Sequence, residues 1–224
     1  MGQRTTPPSF DAAVFMITET RQRLSVFPLG GAILFPRSML PLHIFEPRYR
    51  ALVSDSLARD RRIAMIQPRV DGLVPELYSV GCVGRIAQVE ALDDGRFNIV
   101  LEGIARFRTL KELSTTTPFR QIEAEFGSFD DESDEPLPHI LRADFEREGK
   151  RFCKARGIMV NWEALAEMDD EAVINGSAQV APFDIASKQA LLEAPTLTER
   201  ADLLIQLLRF YREQGDGEEK VTLQ

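Results

Sequence analysis

Cysteine and histidine, the side chains that form crosslinks or hold transition metals, are scarce in this chain. Among its 224 residues are two cysteines, two histidines and one tryptophan. Cys82 and Cys153 lie far apart, neither with a partner at metal-ligand spacing, and both read as buried free thiols. His43 stands between Leu42 and Ile44 in an expected strand, and His139 follows Pro138 at an expected helix start. Two histidines in different elements support neither a zinc site nor a Ser-His-Asp triad. Gly149-Lys150 is followed by Arg151 and preceded at the required place by Asp144, so the phosphate-cradling Walker loop is missing. Gly81-x-x-Gly84 lacks the third glycine and following helix of a dinucleotide loop and reads as a strand kink. No acidic pair stands out from the others as an acid–base couple. The expectation is a protein that is not an enzyme and carries no cofactor or metal.

Long apolar runs are missing as well, so no membrane span is expected. Ala12–Ile17 has neither the basic flank nor the small-residue cleavage site of a signal peptide, and the expected location is the cytoplasm. The net charge of −8 is uneven. Residues 24–127 carry 13 basic and 12 acidic side chains, whereas 128–224 carry 11 and 21. An acidic second half with no basic stripe elsewhere makes nucleic acid a poor partner.

What the chain does have is concentrated in Leu24–Leu52. Short β-prone runs (Leu24–Leu29, Ala32–Phe35, Met39–Phe45) are broken at Gly30-Gly31 and Pro36, as in a small barrel whose strands bend and restart. Pro47 suits the first turn of a helix expected to run to Arg61. Pro28-Leu29, Leu34-Phe35-Pro36, Met39-Leu40-Pro41-Leu42-His43-Ile44-Phe45-Glu46 and Arg48-Tyr49 together resemble the start of the Lon protease N-terminal, substrate-binding domain. The likeness is strongest to stand-alone proteins built from that domain alone. It continues in Tyr78-x-x-Gly81-x-x-Gly84-x-Ile86 and Val100-Leu101-Glu102-Gly103-x-x-Arg106-Phe107-Arg108. It returns in Ser187-Lys188-Gln189-x-Leu191-Leu192-Glu193 and in Arg200-x-x-x-Leu204-x-x-Leu207-Leu208. The resemblance covers roughly 24–212 and implies a β pseudo-barrel of the PUA-like kind. Neither the ATPase motif nor the Ser-Lys protease domain of full-length Lon is found in the sequence.

Further along, Ile63–Ile66 reads as a buried strand and Tyr78–Glu90 as a long one. Asp93-Asp94-Gly95 reads as a hairpin turn. Arg96–Glu102 is a return strand expected to break at Gly103, before Ala105–Leu110 and Phe119–Phe126. Beyond the acidic Asp130–Pro136 the apolar period changes from two to 3.6. Gly157 ends a first helix, Asn161 and Asp184 can cap others, and a short helix is expected over 170–174, followed by a turn at Asn175-Gly176-Ser177. Thr196 and Glu199 form a capping box for a last helix with Leu203, Leu204, Leu207, Leu208 and Tyr211 inward. The fold class is therefore α+β: an N-terminal antiparallel β pseudo-barrel followed by a C-terminal α-helical bundle. Its parts are an arm (1–23) packing through Phe10, Val14 and Phe15, the barrel (24–127), an acidic linker (128–136), the helices (137–214) and a tail (215–224).

The resemblance implies a non-catalytic module that recognises unfolded or extended polypeptide segments, with a separate protease or chaperone as a further partner it allows. Candidate contact residues are Phe35, Pro36, Arg37, Met39, Phe45 and Tyr49, of which Phe45 and Tyr49 also suit a barrel core. The barrel–helix cleft and an exposed strand edge are two further candidate surfaces. Two other functions stay open: a scaffold for one dedicated protein partner, and a small-molecule binder in the cleft.

Overall fold

The computed structural model describes residues 20–70, 72, 74–131 and 136–218. The expected arm contacts Phe10, Val14 and Phe15 lie outside them, as do residues 132–135 of the acidic linker and the end of the tail. The element order is β1 (Arg21–Pro28), β2 (Met39–Ile44), α1 (Pro47–Leu57), β3 (Arg62–Pro68), β4 (Leu77–Ala91), β5 (Phe97–Leu113) and β6 (Gln121–Glu125). The helices α2 (His139–Arg156), α3 (Trp162–Ala166), α4 (Asp170–Val180), α5 (Ile185–Glu193) and α6 (Leu197–Glu218) follow. This is the α+β architecture expected.

The six strands run in the order β2-β5-β4-β3-β1-β6, and β6 also pairs with β5, closing five of them into a ring. One pairing departs from the antiparallel expectation: β1 and β3 lie parallel, with Val26 opposite Ala64. The connection between them runs through β2 and α1, long enough for the crossover a parallel pair requires. β5 pairs with β4 along one edge. Its other edge is shared by β2 over Phe97–Glu102 and by β6 over Arg108–Leu113.

Two sequence expectations fail for one reason. Ala32–Phe35 is not a strand; it is a packed loop in which Ile33, Leu34 and Phe35 are buried. Gly103 does not break the chain into two strands, because β5 runs straight through it. A Cβ on Gly103 would stand 1.9 Å from the Phe35 carbonyl oxygen, and one on Gly84 would stand 2.7 Å from Leu34 Cδ2. These glycines are where the loop presses on the sheet, and a loop apolar enough to be buried imitates a strand in the sequence.

The helix ends follow their signals. Gly157 closes α2 in the left-handed region at φ 66°. Asp184 accepts a hydrogen bond from the Ser187 N–H at 2.7 Å, and Thr196 and Glu199 form the reciprocal capping box. α1 is shorter than expected, ending at Leu57. α4 is longer, running through Asn175-Gly176-Ser177 to Val180. Asn175 is buried there and accepts a hydrogen bond from Arg200 Nη1 at 2.7 Å, a tertiary contact that overrides the local turn preference. One apolar cluster joins Phe27, Phe35, Met65, Val80 and Leu101 of the β-half to Phe145, Ile174, Leu192 and Leu204 of the helices. A second fills the barrel with Val26, Ile66, Val83, Phe107 and Ile122.

α2 and α6 are pinned by Glu148, 3 % exposed and within salt-bridge distance of Arg147, Arg151, Arg209 and Arg212. Burial pushes its carboxyl upward, but hydrogen bonds from Arg212 and Arg147 and the nearby guanidiniums outweigh it and hold the group below the usual range. A depressed carboxylate stabilises the fold above its unfolded pKa of about 4.3, and that stabilisation is lost as pH falls through the lower folded value. Replacing Glu148 by Gln should therefore shallow the loss of stability across the acid range, read by denaturant unfolding at stepped pH. Gly103→Ala should lower stability by about 2–4 kcal/mol. Gly176→Ala, whose Cβ meets nothing within 4 Å, should raise it by about 0.5–1 kcal/mol in the same unfolding measurement.

Candidate functional site

The seam between barrel and helices is polar and mostly self-satisfied. Arg106, on β5, is 3 % exposed. Its Nε donates to Asp131 Oδ1 at 2.7 Å, and its Nη atoms donate to the carbonyls of Leu192, Ala194 and Pro195 at 3.1, 2.6 and 3.1 Å. Those carbonyls belong to the C-terminal end of α5 and the residues after it, where helical geometry leaves acceptors without partners. Arg200 donates to the Leu191 carbonyl at 3.2 Å and lies 4.6 Å over the Phe35 ring. Burial, with Arg106 beside it, lowers the Arg200 pKa to about 10. Gln67 on β3 bonds Gln189 at 3.1 Å, and Gln189 bonds the Val80 carbonyl at 3.0 Å. Lys188 donates to the Gly31 and Gln179 carbonyls at 2.8 and 2.9 Å, and burial lowers its pKa.

A cleft of about 310 Å³ opens beside this seam, lined by Arg37, Asp130, Asp131, Asp169, Asp170 and Glu171 among others. Arg37 closes one side. Its φ is +60°, its N–H donates to the Gly103 carbonyl at 2.9 Å, and its guanidinium makes a bidentate pair with Glu171 at 2.7 and 2.8 Å. It is a brace from the β-half to α4.

The six candidate residues from the opening stretch separate accordingly. Phe35, Pro36 and Tyr49 are buried and belong to the core, Tyr49 packed against Phe27 at 4.1 Å between ring centroids. Arg37 is the brace. Met39 and Phe45 are 50 % and 61 % exposed, and they alone of the six offer free apolar surface.

Both stand on the same side of β2. Odd positions there point outward: Met39, Pro41 and His43 are exposed, while Ile44 is buried. Across the sheet Met39 faces Glu102, Pro41 faces Val100 and His43 faces Asn98, with Arg85, Gln88 and Glu90 in the next row on β4. A shallow groove of about 510 Å³ crosses the Pro41, His43, Gln88, Asn98 and Val100 side chains. A polar chain fixes its floor. Arg96 Nη1 donates to His43 Nε2 at 3.3 Å, His43 Nδ1 bonds Asn98 Oδ1 at 2.7 Å, and Asn98 Nδ2 donates to Glu90 at 2.7 Å.

Asn98, Val100, Gln88 and His43 were not foreseen as part of a site. The alternation in β5 could have flagged Asn98 and Val100 as the face opposite Ile99 and Leu101, but the pairing that brings them beside Met39 is not written in local pattern. Among the described residues β2 pairs with β5 alone, so its second edge is open. The Gly103 N–H donates to the Ser38 carbonyl at 2.9 Å, which assigns the even positions of β2 to bonds with β5 and the odd ones to the open edge. Pro41 thus stands where an added strand would seek a donor, and it has none.

No helix among the described residues is long and apolar enough to cross a membrane, and no group of three or more acidic, His or Cys side chains among them could hold a metal ion. The family model for the ATP-dependent protease La (LON) substrate-binding domain matches residues 23–209. The chain belongs to this family. Lon protease 2 of Sorangium cellulosum is 34% identical over 125 residues, 54% of this chain and 14% of that protein. Lon protease 2 of Myxococcus xanthus is 25% identical over 202 residues, 86% and 24% of the two chains. The Lon protease of Escherichia coli K12 is 24% identical over 196 residues, 84% and 25%. The LON-family chain described here therefore spans about a quarter or less of these relatives' length. Its fold is shared with the Lon N-terminal domain protein from Xanthomonas campestris, at TM-score 0.59 and 22% identity, covering 84% of this chain and 98% of that one. It is shared equally with the N-terminal domain of the Mycobacterium avium complex Lon protease, at TM-score 0.60 and 18% identity over the same shares.

The two arginines of the seam should differ sharply on removal. Arg106→Met leaves Asp131 buried and three carbonyls without donors, and should cost about 3–5 kcal/mol of unfolding free energy. Arg37→Ala, whose side chain is 51 % exposed, should cost no more than about 1 kcal/mol. Chemical denaturation of the two variants beside the parent separates these outcomes.

Proposed function

We propose that this chain is a non-catalytic polypeptide-binding module, and that it takes unfolded or extended segments on the outer face of β2, β5 and β4. The observation that carries the reading is the pair of exposed apolar side chains, Met39 and Phe45, beside the open groove. Membership of the LON substrate-binding family supports the class of ligand. Met is a flexible, polarizable contact suited to many partners, and an aromatic at the rim offers the large apolar area that anchors bound chains. A folded protein with a complementary surface remains the second reading, since the same two side chains would serve it. The cleft supports a small-molecule reading less well, because Arg106, Arg200 and Arg37 already spend their donors on carbonyls and carboxylates of this chain.

The test is fluorescence anisotropy with a labelled, permanently unfolded polypeptide beside a labelled folded control. Met39→Asp and Phe45→Asp are surface changes and should leave the thermal midpoint nearly unchanged. Each should weaken binding of the unfolded chain by at least about tenfold, or about 1.4 kcal/mol. Undiminished binding by both variants overturns the assignment of this face. Binding of the folded control alone overturns the unfolded-segment reading.

A further inference from the structure

Met39 and Phe45 stand at the two ends of one row, and the distance between them limits what can touch both. Met39, Pro41 and His43 are the exposed odd positions of β2. Phe45 follows the strand directly, and its ring stacks on His43 at 6.2 Å between centroids, so the row runs on through it. Six residues of strand separate the two apolar side chains by about 20 Å. An extended ligand covers that distance in six residues of its own. Its side chains alternate, so positions i, i+2, i+4 and i+6 face the groove together. A spacing of five or seven reaches nearly as far but turns the second apolar side chain away. The groove lies over β2, β5 and β4. Two strand spacings, roughly 10 Å, suit an extended backbone better than a helix about 10–12 Å across.

The charges of the face point to what lies between the two apolar ends. Glu102 pairs with Arg85 at 2.7 Å, and Asp94 with Arg96 at 2.6 Å. His43 has a partner on each ring nitrogen. Glu90 differs from the other two carboxylates. It accepts a hydrogen bond from Asn98 at 2.7 Å, but among the described residues no cation pairs with it. It stands in the His43–Asn98 row, two strands from β2. A long basic side chain from a segment lying along β2 reaches it across Asn98, whereas an acidic one would be repelled. The opposite end of the groove, Pro41 beside Val100, is apolar.

We propose that the face selects extended segments with two apolar side chains six residues apart and a basic side chain between them, two residues from the one that meets Phe45. The basic group pairs with Glu90. Side chains at i+1, i+3 and i+5 point away and are unrestricted. This rests on the polypeptide-binding reading above and adds to it which segments are taken.

The test uses synthetic peptides of about 12 residues, two leucines in a Ser/Thr/Gln background, spaced i+5, i+6 or i+7. One lysine stands two residues inside either the first or the second leucine, since the segment can lie in either direction. Binding is read from the Met39 methyl signal by NMR, with the 96 % exposed Met159 as the remote control. The i+6 spacing should bind at least about fivefold tighter than i+5 or i+7, because only it seats both leucines. With i+6 kept, lysine should bind about two- to threefold tighter than glutamate at the better of its two positions, less so at high salt. Glu90→Gln keeps an acceptor for Asn98 and should abolish that preference. Equal affinities across the spacings overturn the proposal, as does a lysine preference that survives Glu90→Gln. The labelled unfolded polypeptide is titrated in parallel. If it binds and Met39→Asp weakens it, while the peptides are not told apart, the function proposed above stands and this selectivity falls. If it does not bind, both fall.

Discussion

Arg106 is the side chain on which the two halves of the molecule depend. A guanidinium has donors in a fixed planar fork, and here the fork meets a carboxylate on one side and three backbone carbonyls on the other. Without it the end of α5 would bring unpaired carbonyls against the barrel wall, each costing about 1–3 kcal/mol. Lysine could not substitute, since one ammonium cannot span acceptors spread over Asp131, Leu192 and Pro195. The nearby Arg200 shows the cost of such a seam: burial lowers its pKa to about 10, still far above neutrality, so the charge persists and must be matched by the Leu191 carbonyl and Asn175. A seam of this kind gives little net stability compared with apolar packing, but a docking that left its donors and acceptors unmatched would be penalised.

The contacts of the seam carry through to the surface. The seam fixes α5 and α6 against the loop containing Ile33, Leu34 and Phe35, with Arg200 stacked on Phe35. The loop presses its Phe35 carbonyl into the space that Gly103 leaves free. The next residues turn at Arg37, in a left-handed conformation a non-glycine residue adopts only at a cost of about 1 kcal/mol or more, offset here by the Gly103 carbonyl and the Glu171 carboxylate. From this turn β2 sets out with its odd positions toward water and Leu40, Leu42 and Ile44 toward the core. A slip of one residue would bury Met39, Pro41 and His43 and expose Leu40, Leu42 and Ile44. A chain of contacts thus links the exposed apolar face to the polar seam.

Much of this was legible in the sequence, and the failures share a cause. Asp184, Thr196 with Glu199, Gly157 and Asn161 marked helix ends correctly, because a cap is a local bond between near neighbours. The PLHIFEPRYR stretch and the last two helices pointed to the family. What could not be read was whatever depends on a distant partner. Ala32–Phe35 looked like a strand because burial under helices selects the same residues as burial in a sheet. Gly103 looked like a break because the carbonyl that demands it comes from 68 residues earlier. Asn175-Gly176-Ser177 looked like a turn until Arg200 claimed Asn175. At the candidate site, Met39 could be suspected from its surroundings, whereas Phe35 and Tyr49 are as aromatic as Phe45 and differ only in the direction each points.

Pro41 bears on how such a face would recognise a chain. Strand addition reads backbone and is nearly blind to sequence, because every residue but proline brings the same N–H and C=O. An edge interrupted at its middle by a residue with no donor loses that generality and gains protection from edge-to-edge aggregation. Under the function proposed above, recognition would then rest on Met39 and Phe45, with the His43–Asn98–Glu90 chain holding the floor between them. Side-chain contacts discriminate by apolar content, and in a folded protein apolar side chains are mostly inside. A face built this way would separate unfolded from folded protein by what each exposes rather than by its backbone shape.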